Sequence, residues 1–355
     1  MKVATFLIFL PLFLFANPVI NHWVAYSPSY NWQPGLVAES SLVWQDLRTL
    51  SWHNFVGIAT YGTLDSLHRV ARYAKRLGFS EVIVGIWIDS NMVNNREGIK
   101  WAISAQNFAD AYCVGNEVLF FHRLPPSIND TNYLRWAMDT IRQVTRKPVT
   151  TAEHWKVYDS LPYRDWLLRN CDFLFPIINP TDNGIRDPSL GARWVKGKFD
   201  SLRIIAGQKP VRIREAGWPT NSESLHHRVW ANEIYQDLFF RSLDSLFAES
   251  LPFCFFFETF DQFWKRGGTQ PYWGLFDSAR HAKLFAGRLG INWEDKRRGE
   301  KRNWKTMVIR RLTQEQFPIF DASGRKINLP KFLSPGIYLF YNEKDRSWQK
   351  FIILS

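Results

Sequence analysis

Tyr112-Cys113-Val114-Gly115-Asn116-Glu117-Val118 and Val211-Arg212-Ile213-Arg214-Glu215-Ala216-Gly217-Trp218-Pro219 decide how this chain is to be read. In each, a short β-type run carries the chain up to a glutamate and stops. Working outward, six more runs of the same kind occur at 23–26, 55–61, 81–88, 148–153, 171–178 and 253–258, beside 111–117 and 210–215 themselves. Amphipathic stretches with helical spacing alternate with them, at 40–50, 63–77, 97–108, 132–144, 163–169, 190–205, 226–247 and 277–289. Short apolar runs alternating with longer amphipathic ones describe a parallel sheet covered by helices. Eight such units in succession match a (β/α)8 TIM barrel. An open doubly wound sheet is the competing arrangement, but it normally carries a glycine-rich phosphate turn after its first strand, and Tyr26-Ser27-Pro28-Ser29-Tyr30 is unlike one.

A barrel places its chemistry at the C-terminal ends of its strands. Polar groups gather there: Asp89, Asn116 and Glu117, Glu153 and His154, Glu215, and Glu258. Tyr26, Tyr61, Trp87, Trp155 and Trp218 stand at similar places, and flat aromatic faces suit the C–H faces of sugar rings. Glu117 and Glu215 are the pair of interest. Cleaving an acetal needs one carboxylic acid to protonate the leaving oxygen and one carboxylate to attack or to activate water.

Bulk properties narrow the alternatives. The net charge of +12 is concentrated in a basic stretch, where Lys296, Arg297, Arg298, Lys301, Arg302, Lys305, Arg310 and Arg311 face one acid, Glu300. Such a run reads as a solvated or surface-adhesion segment, and no nucleic-acid-binding motif accompanies it, so nucleic acid is not an expected partner. The three cysteines, Cys113, Cys171 and Cys254, lie inside apolar runs and read as buried thiols. No Cys/His cluster has zinc-ligand spacing, so neither a structural metal nor a cofactor is expected. Residues 1–16, with Lys2 followed by an apolar run, read as a secretory signal peptide, an uncleaved anchor being the alternative. The expected organisation is a leader at 1–16, a barrel at 17–291, a basic linker at 292–312 and a small β-rich module at 313–355, in a monomeric protein exported to the cell surface or beyond.

Residues 20–290 resemble glycoside hydrolase family 17, the β-1,3-glucanases and related glucanosyltransferases. The matching words are Tyr26-Ser27-Pro28, Gly85-Ile86-Trp87-Ile88, Val114-Gly115-Asn116-Glu117-Val118-Leu119, Val149-Thr150-Thr151-Ala152-Glu153, Glu215-Ala216-Gly217-Trp218-Pro219-Thr220, Phe257-Glu258-Thr259-Phe260-Asp261-Gln262-Phe263-Trp264-Lys265 and Tyr272-Trp273-Gly274-Leu275-Phe276. The resemblance implies a retaining double displacement on β-glucan, with Glu117 as acid/base and Glu215 as nucleophile. Glu117 would then have to stay protonated near neutral pH, which burial and the Glu215 charge would favour. Asn116 would bond the sugar 2-hydroxyl, Tyr26 and Tyr61 would border the glycosyl subsite, and Glu258 and Lys265 would support the site. Trp87, Trp218 and Trp264 would offer sugar-binding faces, with ordinary packing as the competing role for Tyr26, Tyr61 and Trp264. Packing is favoured for Glu153, and a surface-loop role for Asp89.

Two departures stand out. The family commonly reads Ile-Arg-Thr-Tyr at the end of strand two, where this chain has Ile58-Ala59-Thr60-Tyr61. After strand six, Ile178-Asn179-Pro180-Thr181-Asp182 replaces an aromatic-rich segment. One sugar subsite is therefore expected to be reshaped. The tail resembles a type IX secretion sorting domain, through Asp321-Ala322-Ser323-Gly324-Arg325-Lys326, Leu333-Ser334-Pro335-Gly336-Ile337-Tyr338 and Gln349-Lys350-Phe351-Ile352-Ile353-Leu354. That implies contact with secretion machinery, with a small accessory sandwich as the other reading. A non-catalytic carbohydrate-binding or adhesion protein on a glycosidase scaffold stays open as a function, although retention of both glutamates argues against it.

Overall fold

The computed structural model describes residues 22–29, 32–247 and 254–290, together with the backbone of four strand segments in the tail. Eight parallel strands close a barrel in sequence order: β1 (His22–Ala25), β2 (Phe55–Ala59), β3 (Glu81–Ile86), β4 (Ala111–Asn116), β5 (Val149–His154), β6 (Phe175–Ile177), β7 (Ile213–Gly217) and β8 (Cys254–Phe257). Closure is made by β1 against β8, where Trp23 pairs with Phe255 and Val24 with Phe256. The surrounding helices are α1 (Ser40–Trp52), α2 (Arg69–Arg76), α3 (Met92–Ser104), α4 (Val118–Phe121), α5 (Asp130–Thr145), α6 (Leu161–Asn170), α7 (Pro188–Ala206), α8 (Glu233–Phe247) and α9 (Leu284–Leu289). The expected TIM barrel is the observed fold.

Boundaries differ from the sequence pattern where side chains interrupt a run. The stretch expected as helix from 63 becomes helical only at Arg69, because Asp65 and Ser66 adopt left-handed φ of 49° and 74°. Helix α3 begins earlier than expected because the Asn91 side chain accepts the N–H of Asn94 and caps it. The pattern at 226–247 divides into a 3-10 turn and α8, and Asn232 at the junction accepts the N–H of Tyr235. In the last unit the Asp277 carboxylate takes the N–H groups of Ala279 and His281, holding a turn that delays α9 to Leu284. Strand β6 is only three residues long, since Pro176 at its centre has no N–H to offer.

The core has two layers. Val24, Ile58, Val82, Val114, Leu134, Phe239 and Phe240 belong to the larger one, between barrel and helices, and Ala59, Ile83, Cys113, Ala152, Phe175 and Phe255 to a smaller cluster. Each fully buried aliphatic or aromatic side chain contributes about 1.5–3 kcal/mol. All three cysteines are free and buried. After the β7 glutamate, Gly217 lies so close to β8 that a Cβ there would stand 2.3 Å from the Phe257 carbonyl oxygen.

In the tail, β9 (Ile319–Asp321), β10 (Lys326–Ile327), β11 (Gly336–Asn342) and β12 (Ser347–Ile353) form an antiparallel sheet in the order β10-β9-β11-β12. The leader at 1–16, the linker at 292–312 and most of the Ser334-Pro335-Gly336 turn lie outside the described residues. Among the described residues no helix is long and apolar enough to cross a membrane.

Candidate active site

Strand β4 delivers Glu117 through a backbone switch. Its N–H still donates to the Ala152 carbonyl of β5 at 2.7 Å, but its φ is 55°, a left-handed conformation that is uncommon outside glycine. The turn α4 follows at once, and Glu153 of β5 secures it by accepting the N–H groups of Leu119 and Phe120 at 3.1 and 3.2 Å. Glu153 therefore holds up the Glu117 wall, which is the packing role expected of it. Buried Asn116 Oδ1, next to Glu117, has no hydrogen-bond partner.

Glu215 arrives by a different route. Its carbonyl takes the N–H of Ile178 from beyond β6 at 2.8 Å, and its Oε1 accepts the Tyr61 hydroxyl of the β2 end at 2.7 Å. Next to it in sequence, Arg214 is buried, donates from Nη2 to the Thr60 carbonyl at 3.0 Å, and holds its guanidinium carbon 4.2 Å from the centre of the Tyr61 ring. Ala59 has no charged side chain to give, and an arginine from β7 reaches the end of β2 from another part of the barrel. At the end of β8, Glu258 is fully buried and paired with Lys265, whose Nζ lies 2.7 and 2.8 Å from its two oxygens.

The charges of these groups meet. Burial first, then the Glu215 charge and, less, Asp182 together push the Glu117 carboxyl up to about 8, with Arg123 opposing the rise. Glu258 is pushed up to about 7 by burial, against the pull of Lys265, with Glu215 again raising it. Asp182, on the loop after β6, is pushed up to about 6 by the surrounding protein and by Glu215, with Arg186 opposing. Its surface is nevertheless open to solvent, so screening weakens these effects and the direction matters more than the size. One charge, Glu215, thus bears on three other carboxyls from three different strand ends.

Several expected site residues are brought together: Asn116 and Glu117 on one wall, Tyr61 and Glu215 on another, and Glu258, Lys265 and Trp264 on the β8 loop. Trp264 remains 36 % exposed while its Nε1 donates to Gln262. Trp87 is 38 % exposed and bonds Asp89 of its own loop. Two expectations are corrected. Trp218 has no exposed surface: its Nε1 donates to the Trp230 carbonyl and its ring packs against Phe239, so no face is free for a sugar. Tyr26 is 2 % exposed and donates to Asp46 of α1, which ties the end of β1 to its helix and leaves the ring almost no surface for a sugar. Sequence reasoning missed Asp182, Arg123 and Arg214. An arginine inside a barrel strand was a visible signal for the last, and an acid within the departing Asn179-Pro180-Thr181-Asp182 segment for the first.

Among the described residues no cluster of histidine, cysteine, aspartate or glutamate could hold a metal ion. Comparison with known proteins finds the BtgE/BtgC glycoside hydrolase domain over residues 24–274. The chain belongs to the BtgE/BtgC glycoside hydrolase family. It is 24 % identical over 186 residues to a glucan 1,3-beta-glucosidase of Schizosaccharomyces pombe, covering 49 % of this chain and 56 % of that protein. It is 25 % identical over 267 residues to a probable beta-glucosidase of Aspergillus clavatus, covering 72 % of this chain and 45 % of that one. The chain therefore spans about half the length of these relatives. A family 17 beta-1,3-glucanosyltransferase from Rhizomucor miehei superposes with a TM-score of 0.62 at 18 % identity, covering 74 % of this chain and 95 % of that one. An endo-laminarinase from Formosa gives 0.64 at 18 % identity, covering 79 % and 87 %. At such identities the structures speak for the shared barrel alone.

Proposed function

We propose that this glycoside hydrolase acts on β-1,3-glucan with retention of anomeric configuration, as a hydrolase or a transglycosylase, through a covalent glycosyl-enzyme. The observation that carries the reading is the contrast between the two strand-end carboxyls: Glu117, pushed up to about 8, keeps a proton at neutral pH, and Glu215 accepts the Tyr61 hydroxyl. Glu117 protonates the leaving oxygen while Glu215 attacks the anomeric carbon, forming the glycosyl ester. Glu117, now ionised, takes a proton from water or from a sugar hydroxyl, which displaces Glu215 and regenerates both groups. Asn116 Oδ1, buried and without a protein partner, is the acceptor offered to the sugar 2-hydroxyl. Tyr61 keeps Glu215 in line, and Lys265 holds the buried Glu258 beside them by charge. The relative that is a glucan 1,3-beta-glucosidase supports the choice of linkage.

The test is a product profile by mass on linear β-1,3-glucan oligomers, with the anomer of the first product followed by NMR. β-Configured first product is expected; α-configured product overturns the retaining reading, and no turnover of any β-1,3-linked oligomer overturns the substrate. Products longer than the substrate identify transfer. Export by the leader and loss of the tail on secretion belong to the same proposal, which rests on the apolar run after Lys2 and on the run of like charge from Lys296 to Arg311 ahead of the tail words. Intact-mass measurement of protein recovered from the native cell surface decides it, and a mass that includes residues through Ser355 removes the tail-processing step.

A further inference from the structure

Arg123 stands just past α4, where the chain is turned back by left-handed residues on both sides: Glu117 with φ of 55° and His122 with φ of 49°. Its N–H bonds the Val118 carbonyl at 3.3 Å, and its Nε donates to the Asn116 carbonyl at 3.0 Å. The guanidinium lies between two partly exposed rings, 5.1 Å from the centre of Trp87 and 4.8 Å from that of Phe121. Its Nη2 then stands 3.9 Å from Glu117 Oε2. Two ring faces and a backbone bond restrict the planar cation, so its charge is delivered to one carboxyl in a fixed direction.

We propose that Arg123, wedged between Trp87 and Phe121, is a positioning residue that orients the Glu117 carboxyl and sets the upper pH limit of turnover. The inference rests on Glu117 being the proton donor. The groups bearing on Glu117 have opposite effects: Glu215 from β7 and Asp182 from the β6 loop favour its protonated form, and Arg123 favours the ionised one. Glu153 of β5 feels the Glu117 charge in turn, but it is committed to the N–H groups of α4. Glu258 of β8 is neutralised by Lys265. Arg123 is therefore the cation that moderates an otherwise acidic surround. A donor held too tightly to its proton transfers it poorly, and a donor pKa near the working pH is best.

The sign follows. Without Arg123 the protonated form of Glu117 is favoured further, so the alkaline limb of kcat/KM moves to higher pH. With a partly exposed pair at this separation, Arg123→Met should move it up by about 0.5–1 pH unit, and Arg123→Lys by less than half of that. Asp182→Asn should move it down. Arg123→Met should also slow β-1,3-glucan oligomers several-fold more than a dinitrophenyl glycoside, whose leaving group needs little proton. A limb within about 0.2 unit of the unmodified protein in Arg123→Met overturns the proposal. If that variant does not fold, Arg123→Gln is read by the same criterion, and Arg123→Lys, which keeps the charge, must still show the smaller upward shift. Glu117→Ala separates the two ideas: if the alkaline limb survives on the dinitrophenyl glycoside, Glu117 is not the titrating donor; if it vanishes and yet Arg123→Met leaves the limb in place, Arg123 alone is misassigned.

Discussion

The β4–β5 side and the β7–β8 side of the barrel each present a glutamate, and they treat it in opposite ways. Glu117 is set by a left-handed backbone step, with the nearest cation 3.9 Å away and anions bearing on it from two sides. Glu215 stays within β7, at the point where its pairing with β8 shifts register between Ile213 and Ala216, and is bonded at 2.7 Å by a tyrosine that itself lies against a buried arginine. Burial with weak compensation raises the pKa of the Glu117 carboxyl, whereas Glu215 is held in place by a short bond from a hydroxyl donor. The same side chain is held in two different ways by its neighbours, and the second glutamate on each side, Glu153 or Glu258, is bound to N–H donors or to lysine.

Removing the Glu215 side of the comparison should cost most. Glu215→Gln preserves shape but cannot form the ester, and activity on glucan oligomers should fall by about 10³-fold or more. Retention of a tenth of the original rate would erase the distinction between the walls. Glu117→Ala should give a similar loss on natural glucan but much less on a dinitrophenyl glycoside, since general-acid catalysis is worth about 10²–10⁴-fold only where the leaving group needs it. Equal losses on both substrates would show that the β4 wall donates no proton. A smaller effect is expected for Tyr61→Phe, which removes one hydrogen bond to a charged group and should lower kcat/KM by about tenfold to a hundredfold. An unchanged value would mean that the Tyr61 contact does not matter to the nucleophile.

The smallest effects on activity should separate two tryptophans that look equivalent in sequence. Trp264→Ala should raise KM for longer oligomers while leaving thermal stability within about 0.5 kcal/mol, because the side chain is 36 % exposed. Trp218→Ala should do the reverse, costing about 3–5 kcal/mol in chemical denaturation. If Trp218→Ala folds normally and Trp264→Ala does not, the assignment of cleft and core is inverted.

The barrel and both glutamates could be found from sequence because their signals are local. Apolar runs and amphipathic helices repeat on a scale of a few residues, and a glutamate closing such a run marks a strand end without knowledge of its neighbours. Element edges were less legible where single side chains act as caps, as at Asn91 and Asn232, or where Asp65 and Ser66 turn the chain left-handed.

Tertiary structure alone decided which aromatic rings face the cleft and which charges meet there. Tyr26 and Trp218 stand at strand ends like Tyr61 and Trp87, but whether a ring turns toward the cleft or into the layer beneath the helices depends on partners such as Asp46 and Phe239, contributed by other elements. The arginine missing at position 59 could be noted in the sequence, yet only folding brings Arg214 to the Thr60 carbonyl. The raised pKa of Glu117 is likewise a property of the assembled barrel. It depends on burial and on Glu215, Asp182 and Arg123, and electrostatic energy follows distance in space rather than order along the chain.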